Sequence, residues 1–193
     1  MDQTDEDIMH DFQQGNREAI TMIFHRYKNR ILNFCLRMLG NRADAEDATH
    51  DVFVSLIGSS YRYQTNAKFS TWLFTIARNR CIDKLRKSKR LFSLTFTNRD
   101  KSVDEQWDVP DHADSSAELL QKKERARHVQ QAILRLPYQQ REAIVLREYH
   151  RFSYDEIAKI LNCSLANVKQ LIFRGRERLR TELASYIQEG HHE

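Results

Sequence analysis

The sequence predicts an all-α fold: two small helical domains joined by a flexible acidic linker, the C-terminal one a helix-turn-helix. Three observations lead to this prediction. The 193-residue chain has only 5 glycines and 2 prolines. Apolar residues recur at steps of three and four, as on one face of a helix. This periodicity fails between residues 91 and 116, where acidic residues accumulate. We therefore place the domains at residues 1–90 and 117–193, with the linker at 91–116.

Charge and cysteine usage narrow the functional classes. The formal net charge is +4, but residues 1–11 carry no Lys or Arg, whereas residues 78–90 carry seven Lys or Arg against the single acidic residue Asp83. A second basic segment lies near the C-terminus, and two such patches suit two sites on one polyanion. The three cysteines lack disulfide or metal-binding spacing. Without a signal peptide or a membrane-length apolar run, we expect a cytoplasmic protein with no cofactor.

The first domain is expected to contain four helices. The first is short and acidic, and the second carries an apolar stripe over more than five turns, ended by Gly40. A third helix follows, and the segment Gly58–Ser70 then breaks the pattern. The fourth helix is expected to begin at Ser70 or Thr71, with a basic C-terminal half. The first three helices are expected at residues 4–12, 16–40 and about 43–57.

The second domain resumes the helical pattern near Ala117. An apolar stripe closes at Pro137, and another helix is expected over Ala143–Tyr149. Two further helices separated by a very short break come next. Ser153 and Glu156 form a capping box at the start of the first of them, and Asn162 tolerates the left-handed conformation that ends a helix.

The second helix of this pair, capped by Ser164, separates its apolar and cationic residues. Its expected core-facing residues are Leu165, Val168, Ile172 and Leu179. Its other faces offer groups suited to base edges and phosphates in the DNA major groove. These are Asn167, Lys169, Gln170, Phe173, Arg174 and Arg176. A solvated basic face on an ordinary helical hairpin is the alternative, but the two caps and the short turn favour DNA binding.

A loop with interleaved aromatic and cationic residues precedes the fourth helix. Aromatic rings stack on unpaired bases while Lys and Arg hold the backbone, so this composition is typical of single-strand binding. The loop residues in question are Tyr61, Arg62, Tyr63, Asn66 and Lys68. Phe69 and Trp72, by contrast, are better explained as core residues.

Four segments together resemble the extracytoplasmic-function (ECF) sigma factors of the sigma-70 family. The first two are NRADAEDATHDVFVSL (41–56) and FSTWLFTIARNRCIDKLRK (69–87), and the other two are LRLPYQQREAIVLREYHRFSYDEIAKILNCS (134–164) and NVKQLIFRGRERLR (167–180). The resemblance implies a subunit without catalytic activity or a small-molecule substrate. Such a subunit binds core RNA polymerase and directs it to promoter DNA. Family members are commonly held inactive by an anti-sigma factor, often membrane-tethered, so such a partner is expected here.

The resemblance also assigns roles by position. The first domain would melt and read the minus-ten element through the loop and Asn79, and the second would read the minus-thirty-five element through its reading helix. Cations of the fourth helix would contact nearby phosphates: Arg78, Arg80, Lys84, Arg86 and Lys87. Leu165-Ala166-Asn167 departs from the Gly-Thr type of sequence often seen at the start of the reading helix, which leaves the promoter preference open.

The third helix carries an acidic stretch with several interpretations. Its carboxylates are Asp44, Glu46, Asp47 and Asp51. Stabilisation of a helix N-terminus is the simplest explanation. The resemblance implies instead that this helix binds the coiled coil of the largest polymerase subunit, where opposite charges steer association. A metal site of Asp47, His50 and Asp51, as in an enzyme, has no further ligand set to support it.

Two function classes remain beside the sigma factor. A freestanding helix-turn-helix regulator would bind duplex DNA alone, usually as a dimer on a symmetric site. A metal-dependent enzyme would need the carboxylates of residues 44–51, and it lacks a nucleophile or base constellation. A sigma factor differs from both because it needs polymerase to bind duplex promoter DNA well.

Overall fold

The computed structural model describes residues 3–64, 68–94 and 116–189, and within these ranges the regular structure is helical. The helices of the first unit are α1 (Asp5–Gln13), α2 (Glu18–Leu39), α3 (Arg42–Ser59) and α4 (Phe69–Leu94), with a 3₁₀ turn at Ser60–Arg62. Those of the second unit are α5 (Ser116–Arg135), α6 (Tyr138–Ile144), α7 (Tyr154–Leu161) and α8 (Leu165–Glu189). A π-helical turn, Val145–Tyr149, continues α6. The all-α prediction is confirmed.

Helix ends follow the capping residues of the sequence. Thr4 forms a capping box with Asp7, and Asn41 accepts a hydrogen bond from the backbone of Asp44 at the start of α3. Gly40 closes α2 at φ 74°, in the left-handed region that glycine adopts without strain. Two helices begin earlier than predicted: α4 begins at Phe69 rather than at Ser70 or Thr71, and α6 begins at Tyr138 rather than at Ala143.

The core of the first unit forms between α2, α3 and α4. One face of α2 is fully buried from Ile23 through Ile31 to Met38, and it meets Leu56 of α3 and Phe74 of α4. The second unit is smaller and depends on a close approach of α8 to α6. A Cβ atom on Gly175 would lie 2.7 Å from Cγ1 of Ile144, so glycine lets the helices touch.

The two units pack against each other, and we call this the closed arrangement. The imidazole of His150, from the second unit, packs against the rings of both Phe34 and Phe74 of the first, with centroid distances of 5.8 and 4.7 Å. Phe152 also packs on Phe74, at 4.9 Å. These aromatic contacts help to bury His150 and Phe152.

Polar groups of the second unit complete the C-terminal end of α2. Gln130 Nε2 donates to the Leu36 carbonyl at 3.3 Å, and Arg141 Nη1 donates to the Met38 carbonyl at 2.7 Å. The Leu36 carbonyl also accepts from the Gly40 N–H, whereas the Met38 carbonyl belongs to the last turn, whose carbonyls have no partner within the helix. Arg141 therefore supplies a donor that the Met38 carbonyl would otherwise take from water.

One prediction about the reading helix is wrong in part. Val168 and Ile172 are buried as expected, and Leu179 is half-buried, but Leu165 is 37% exposed. Leu165 is the first residue of α8, and it lies outside the core into which Val168 and Ile172 pack.

Candidate nucleic-acid interface

The break between α7 and α8 is fixed by hydrogen bonds on both sides. Ser153 Oγ accepts from the Glu156 backbone at 3.2 Å, while Glu156 Oε2 accepts from the Ser153 backbone at 2.7 Å. Asn162 adopts φ 51° and ψ 53°, and Ser164 Oγ accepts from the Asn167 backbone at 3.2 Å. The capping box, the left-handed residue and the second cap predicted from the sequence are all present. They set the direction in which α8 leaves the turn.

The exposed face of α8 carries the predicted reading residues. Phe173 is 66% exposed, so its ring is open to a partner surface. The remaining residues of the set are also exposed: Asn167, Lys169, Gln170, Arg174 and Arg176. Arg176 differs from the others because its Nη2 lies 2.7 Å from Glu148 Oε1, and this bond raises the pKa of its guanidinium.

The loop after α3 presents one aromatic ring outward and one inward. Tyr61 is 70% exposed, and Arg62 Nε donates to its hydroxyl at 2.9 Å. Tyr63 is only 5% exposed and packs against Phe69 and Trp72, so burial raises the pKa of Tyr63 to about 12. A base contact by Tyr63 would require this packing to open, whereas Tyr61 needs no change. Asn66 lies outside the described residues.

Two of the predicted DNA-contacting cations bind carboxylates of the second unit. Arg78 Nε lies 2.8 Å from Glu142 Oε1, and the two side chains are 21% and 1% exposed. Burial raises the pKa of Glu142, while the Arg78 guanidinium opposes that rise. Lys68 Nζ lies 2.8 Å from Glu156 Oε1, which raises the pKa of the Lys68 ammonium. The closed arrangement therefore covers Arg78 and neutralises both cations.

The other cations of α4 are more accessible. Asn79, Arg86 and Lys87 are exposed, and Arg80 lies 3.4 Å from Asp83 in a partly exposed pair. Lys84 Nζ lies 2.8 Å from Asp47 Oδ2. The structure thus places these side chains along one helix, and Asn79, Arg86 and Lys87 are the most open to a polyanion.

The acidic stretch of α3 is partly engaged within the first unit. Glu46 pairs with Arg42 at 2.9 Å, and the Lys84 ammonium lowers the pKa of Asp47. Asp44 is half-buried in the first turn, and Asp51 is exposed. Val54 and Ile57 are 54% and 50% exposed on the next turns of α3. Within the described ranges, no group of three or more His, Cys, Asp or Glu side chains is arranged to hold a metal ion.

Sequence reasoning missed Glu142 and His150 as interface residues. Both are almost fully buried against the first unit. Glu142 stands directly before the apolar run Ala143–Leu146, and a carboxylate next to a buried run usually has a cationic partner. That signal was available from the sequence, but the identity of the partner was not.

The geometry defines a class of protein: a helical chain with a capped helix-turn-helix that exposes cations on one unit and an exposed aromatic–cation pair on the other, a combination typical of DNA-binding proteins. Comparison with known families agrees with this class. Residues 23–91 match the family model described as Sigma-70 region 2, and residues 126–179 match Sigma-70, region 4.

Several curated proteins are similar over nearly the whole chain. The ECF RNA polymerase sigma factor SigW of Bacillus subtilis is 36% identical over 179 residues, which is 89% of this chain and 92% of that protein. The RNA polymerase sigma factor CarQ of Myxococcus xanthus is 31% identical over 172 residues, 89% of this chain and 93% of that protein. The chain belongs to the ECF sigma factors of the sigma-70 family.

Solved structures share the fold. The sigma factor RpoE from Bartonella quintana, in complex with the anti-sigma factor NepR, superimposes with a TM-score of 0.68 at 24% identity, over 85% of this chain and 96% of that chain. CnrH, in complex with the cytosolic domain of CnrY, gives the same TM-score and identity over 95% of this chain and 99% of that chain. Among the helices that the structure describes, none is long and apolar enough to cross a membrane.

Proposed function

We propose that this chain binds core RNA polymerase and directs it to promoters that have two elements. The first unit opens and reads the minus-ten element, and the second reads the minus-thirty-five element as duplex. The observation that carries the proposal is the pairing of two exposed surfaces on one chain. The capped α8 presents cations and Phe173 for a groove, and the loop presents Tyr61 and Arg62 for unpaired bases.

The domain organisation follows from this proposal. Residues 1–90 are assigned to the minus-ten and polymerase-binding domain, 91–116 to a linker, and 117–193 to the minus-thirty-five domain. Helix α4 continues to Leu94 and α5 begins at Ser116, and the rest of the predicted linker lies outside the described residues. The chain acts in the cytoplasm, where polymerase is found, and contributes no chemistry of its own. Polymerase supplies catalysis, and this chain supplies promoter choice.

Promoter binding requires the closed arrangement to open. Arg78 is half-buried against Glu142, and Lys68 is held by Glu156, so neither cation is free for a phosphate while the two units touch. Phosphate contacts supply much of the affinity for DNA. Polymerase binding and promoter binding together would therefore hold the units apart.

An anti-sigma factor is the expected regulator. Two proteins that share this fold were solved in complexes, one of them with the anti-sigma factor NepR. We expect crosslinking in cells to recover such a partner under conditions in which the chain is inactive. Recovery of polymerase subunits alone, under every condition tried, would contradict this expectation.

The test of the function is transcription from a promoter library. Purified chain and core RNA polymerase are mixed with the library, and the regions upstream of the transcripts are sequenced. Initiation that depends on the chain and yields one two-part motif is the expected result. Duplex binding by the chain alone, as a dimer on a symmetric site and without effect on polymerase, would favour the freestanding regulator instead.

Removing a reading residue should weaken promoter binding in a sequence-dependent way. Arg174→Ala and Gln170→Ala are each expected to cost about 1–3 kcal/mol, with the loss confined to particular bases of the minus-thirty-five element. Holoenzyme binding to wild-type and base-substituted duplexes measures this. Arg125→Ala removes an exposed cation of α5 and serves as the control. An equal loss on every duplex would assign these residues to phosphates rather than bases.

Reversing one carboxylate on α3 should slow polymerase binding without unfolding the chain. Asp51→Lys is a cleaner choice than Asp47→Lys, because Asp47 already pairs with Lys84. Lost steering is expected to lower the association rate, and the loss should shrink as salt rises. Glu124→Lys, with the same charge change on exposed α5, is the control. Equal association rates for the two variants would show that this face of α3 does not contact polymerase.

A further inference from the structure

The C-terminal end of α1 touches the loop that carries Tyr61 and Arg62. Gln13 Nε2 donates to the carbonyl of Ser60 at 2.8 Å and to the carbonyl of Tyr63 at 3.0 Å. An amide nitrogen has two hydrogens, so one side chain can satisfy both acceptors. These carbonyls flank Tyr61 and Arg62, and Gln13 therefore fixes the backbone on both sides of the exposed pair.

The first turn of α1 holds the far end of the same loop. Glu6 Oε1 accepts from the backbone N–H of Phe69 at 2.9 Å. Phe69 is the first residue of α4, and its N–H has no partner inside the helix. A carboxylate at this position caps the helix and interacts favourably with its dipole. The cap comes from another helix rather than from the residue preceding α4.

Helix α1 is itself firmly anchored. The Asp5 carboxylate lies 2.8 Å from Arg26 and accepts from the Tyr27 hydroxyl, both on α2. Ile8 and Met9 are fully buried in the core of the first unit. Burial and the contact with Asp5 both raise the pKa of the Tyr27 phenol, so it remains a donor at neutral pH. A fixed α1 can impose a fixed position on whatever it holds.

The loop benefits from such support because the exposed pair lies on a single 3₁₀ turn, closed by the backbone hydrogen bond from the Tyr63 N–H to the Ser60 carbonyl at 3.0 Å. Tyr63 is anchored in the core by Phe69 and Trp72, but Tyr61 points outward and is 70% exposed. A ring that stacks on an unpaired base must be held in place before the base arrives. Residues that lock the backbone on both sides of it reduce the ordering that binding would otherwise require.

We infer that α1 positions the loop that reads unpaired bases, with Gln13 and Glu6 as positioning residues that touch no DNA themselves. The inference rests on the proposed function, since it assigns a role to α1 in reading the minus-ten strand. The acidic character of α1 then has a structural purpose: its carboxylates fasten the helix to α2 and cap α4.

The test compares substitutions at Gln13 with the same substitutions at its exposed neighbour Gln14. Ala removes the donors, Glu keeps the shape but turns carboxylate oxygens towards the two carbonyls, and Lys keeps a donor. The probe is a fluorescein-labelled single strand carrying the minus-ten sequence of a promoter obtained from the library, bound to the holoenzyme. Affinity for core polymerase, affinity for the duplex promoter element of the second unit, and the melting temperature of the chain are measured alongside.

Gln13→Ala is expected to weaken binding of the single strand about tenfold, the loss typical of hydrogen bonds removed near a binding group. Gln13→Glu should bind more weakly still, and Gln13→Lys should recover most of the affinity. All three Gln14 variants should bind as the wild type does. Core binding, duplex binding and melting temperature should stay unchanged throughout, because a general loss of structure would lower them together.

Other outcomes overturn the inference. Equal single-strand binding by Gln13→Glu and Gln14→Glu would show that the contact does not position the loop. If the variants also bound core polymerase more weakly, or melted at a lower temperature, in parallel with their weaker strand binding, Gln13 would only stabilise the fold and would not position the loop. Failure of the wild-type holoenzyme to bind the unpaired strand would overturn the proposed function as well. The measurement on the wild type tests the function, whereas the comparison of variants tests only the role of α1.

Discussion

Glu142→Gln is expected to separate the two units of the free chain. Glu142 is 1% exposed and faces the Arg78 guanidinium, so the substitution leaves a half-buried cation without its counter-charge. Removing one partner of a buried ion pair typically costs about 3–5 kcal/mol. Because this pair spans the interface, the loss acts on the closed arrangement rather than on either core. Pulsed electron paramagnetic resonance measures the distance between spin labels on the two units. The mean distance should lengthen and its distribution should broaden.

The control for this substitution is Glu148→Gln. Glu148 pairs with Arg176 at the surface and within one unit, where ion pairs contribute little. A second variant, Arg78→Met with Glu142→Met, replaces both charges by apolar groups. It should restore closure, since an apolar pair can substitute for a buried ion pair. An unchanged label distance in Glu142→Gln would mean that the aromatic contacts alone hold the units together.

Acidification should also open the free chain, through His150. Burial against Phe34 and Phe74 lowers the pKa of His150 to about 3, and Arg30 and Arg37 contribute to the same shift. When the units separate, the imidazole returns to an ordinary pKa near 6.5. The stabilisation of the closed arrangement is therefore complete above pH 6.5 and is lost as the pH falls towards 3. At pH 5 the loss amounts to about 2 kcal/mol.

A second titratable group, Glu142, lies at the same interface, where burial and the Arg78 guanidinium act on its pKa in opposite directions. Comparison with His150→Phe isolates the imidazole, because Glu142 is present in both chains and the phenyl ring keeps the aromatic contacts without titrating. The label distance in wild type should lengthen between pH 7 and 5, and the distance in His150→Phe should change less. Identical pH curves would assign any opening to other groups.

Local chemistry explains which features the sequence could predict. Capping residues act within one turn of the chain, so the helix ends at Ser153, Asn162 and Gly40 could be predicted from the sequence. The apolar stripe of α2 is long enough to define its buried face without knowledge of its partners. The reading helix was recognisable for the same reason, since its caps and its cations lie close together in sequence.

Contacts between distant segments explain what the sequence could not predict. The cap of α4 comes from Glu6, 63 residues earlier, so the start of that helix could not be read from neighbouring residues. Tyr63 and Tyr61 have similar local sequence, and only the packing against Trp72 separates a core ring from an exposed one. The partners of Glu142 and His150 were hidden because they belong to the other unit.

The separation of the two units on promoter binding is best measured by single-molecule energy transfer between dyes on the two units. Thr21→Cys on α2 and Ala184→Cys on α8 are exposed positions outside the proposed contacts, in a chain whose half-buried Cys163 is replaced by Ser. The free chain should show one high-transfer state, and core polymerase with promoter DNA should convert it to low transfer. High transfer that persists in the promoter complex would contradict the release of Arg78 and Lys68 for DNA.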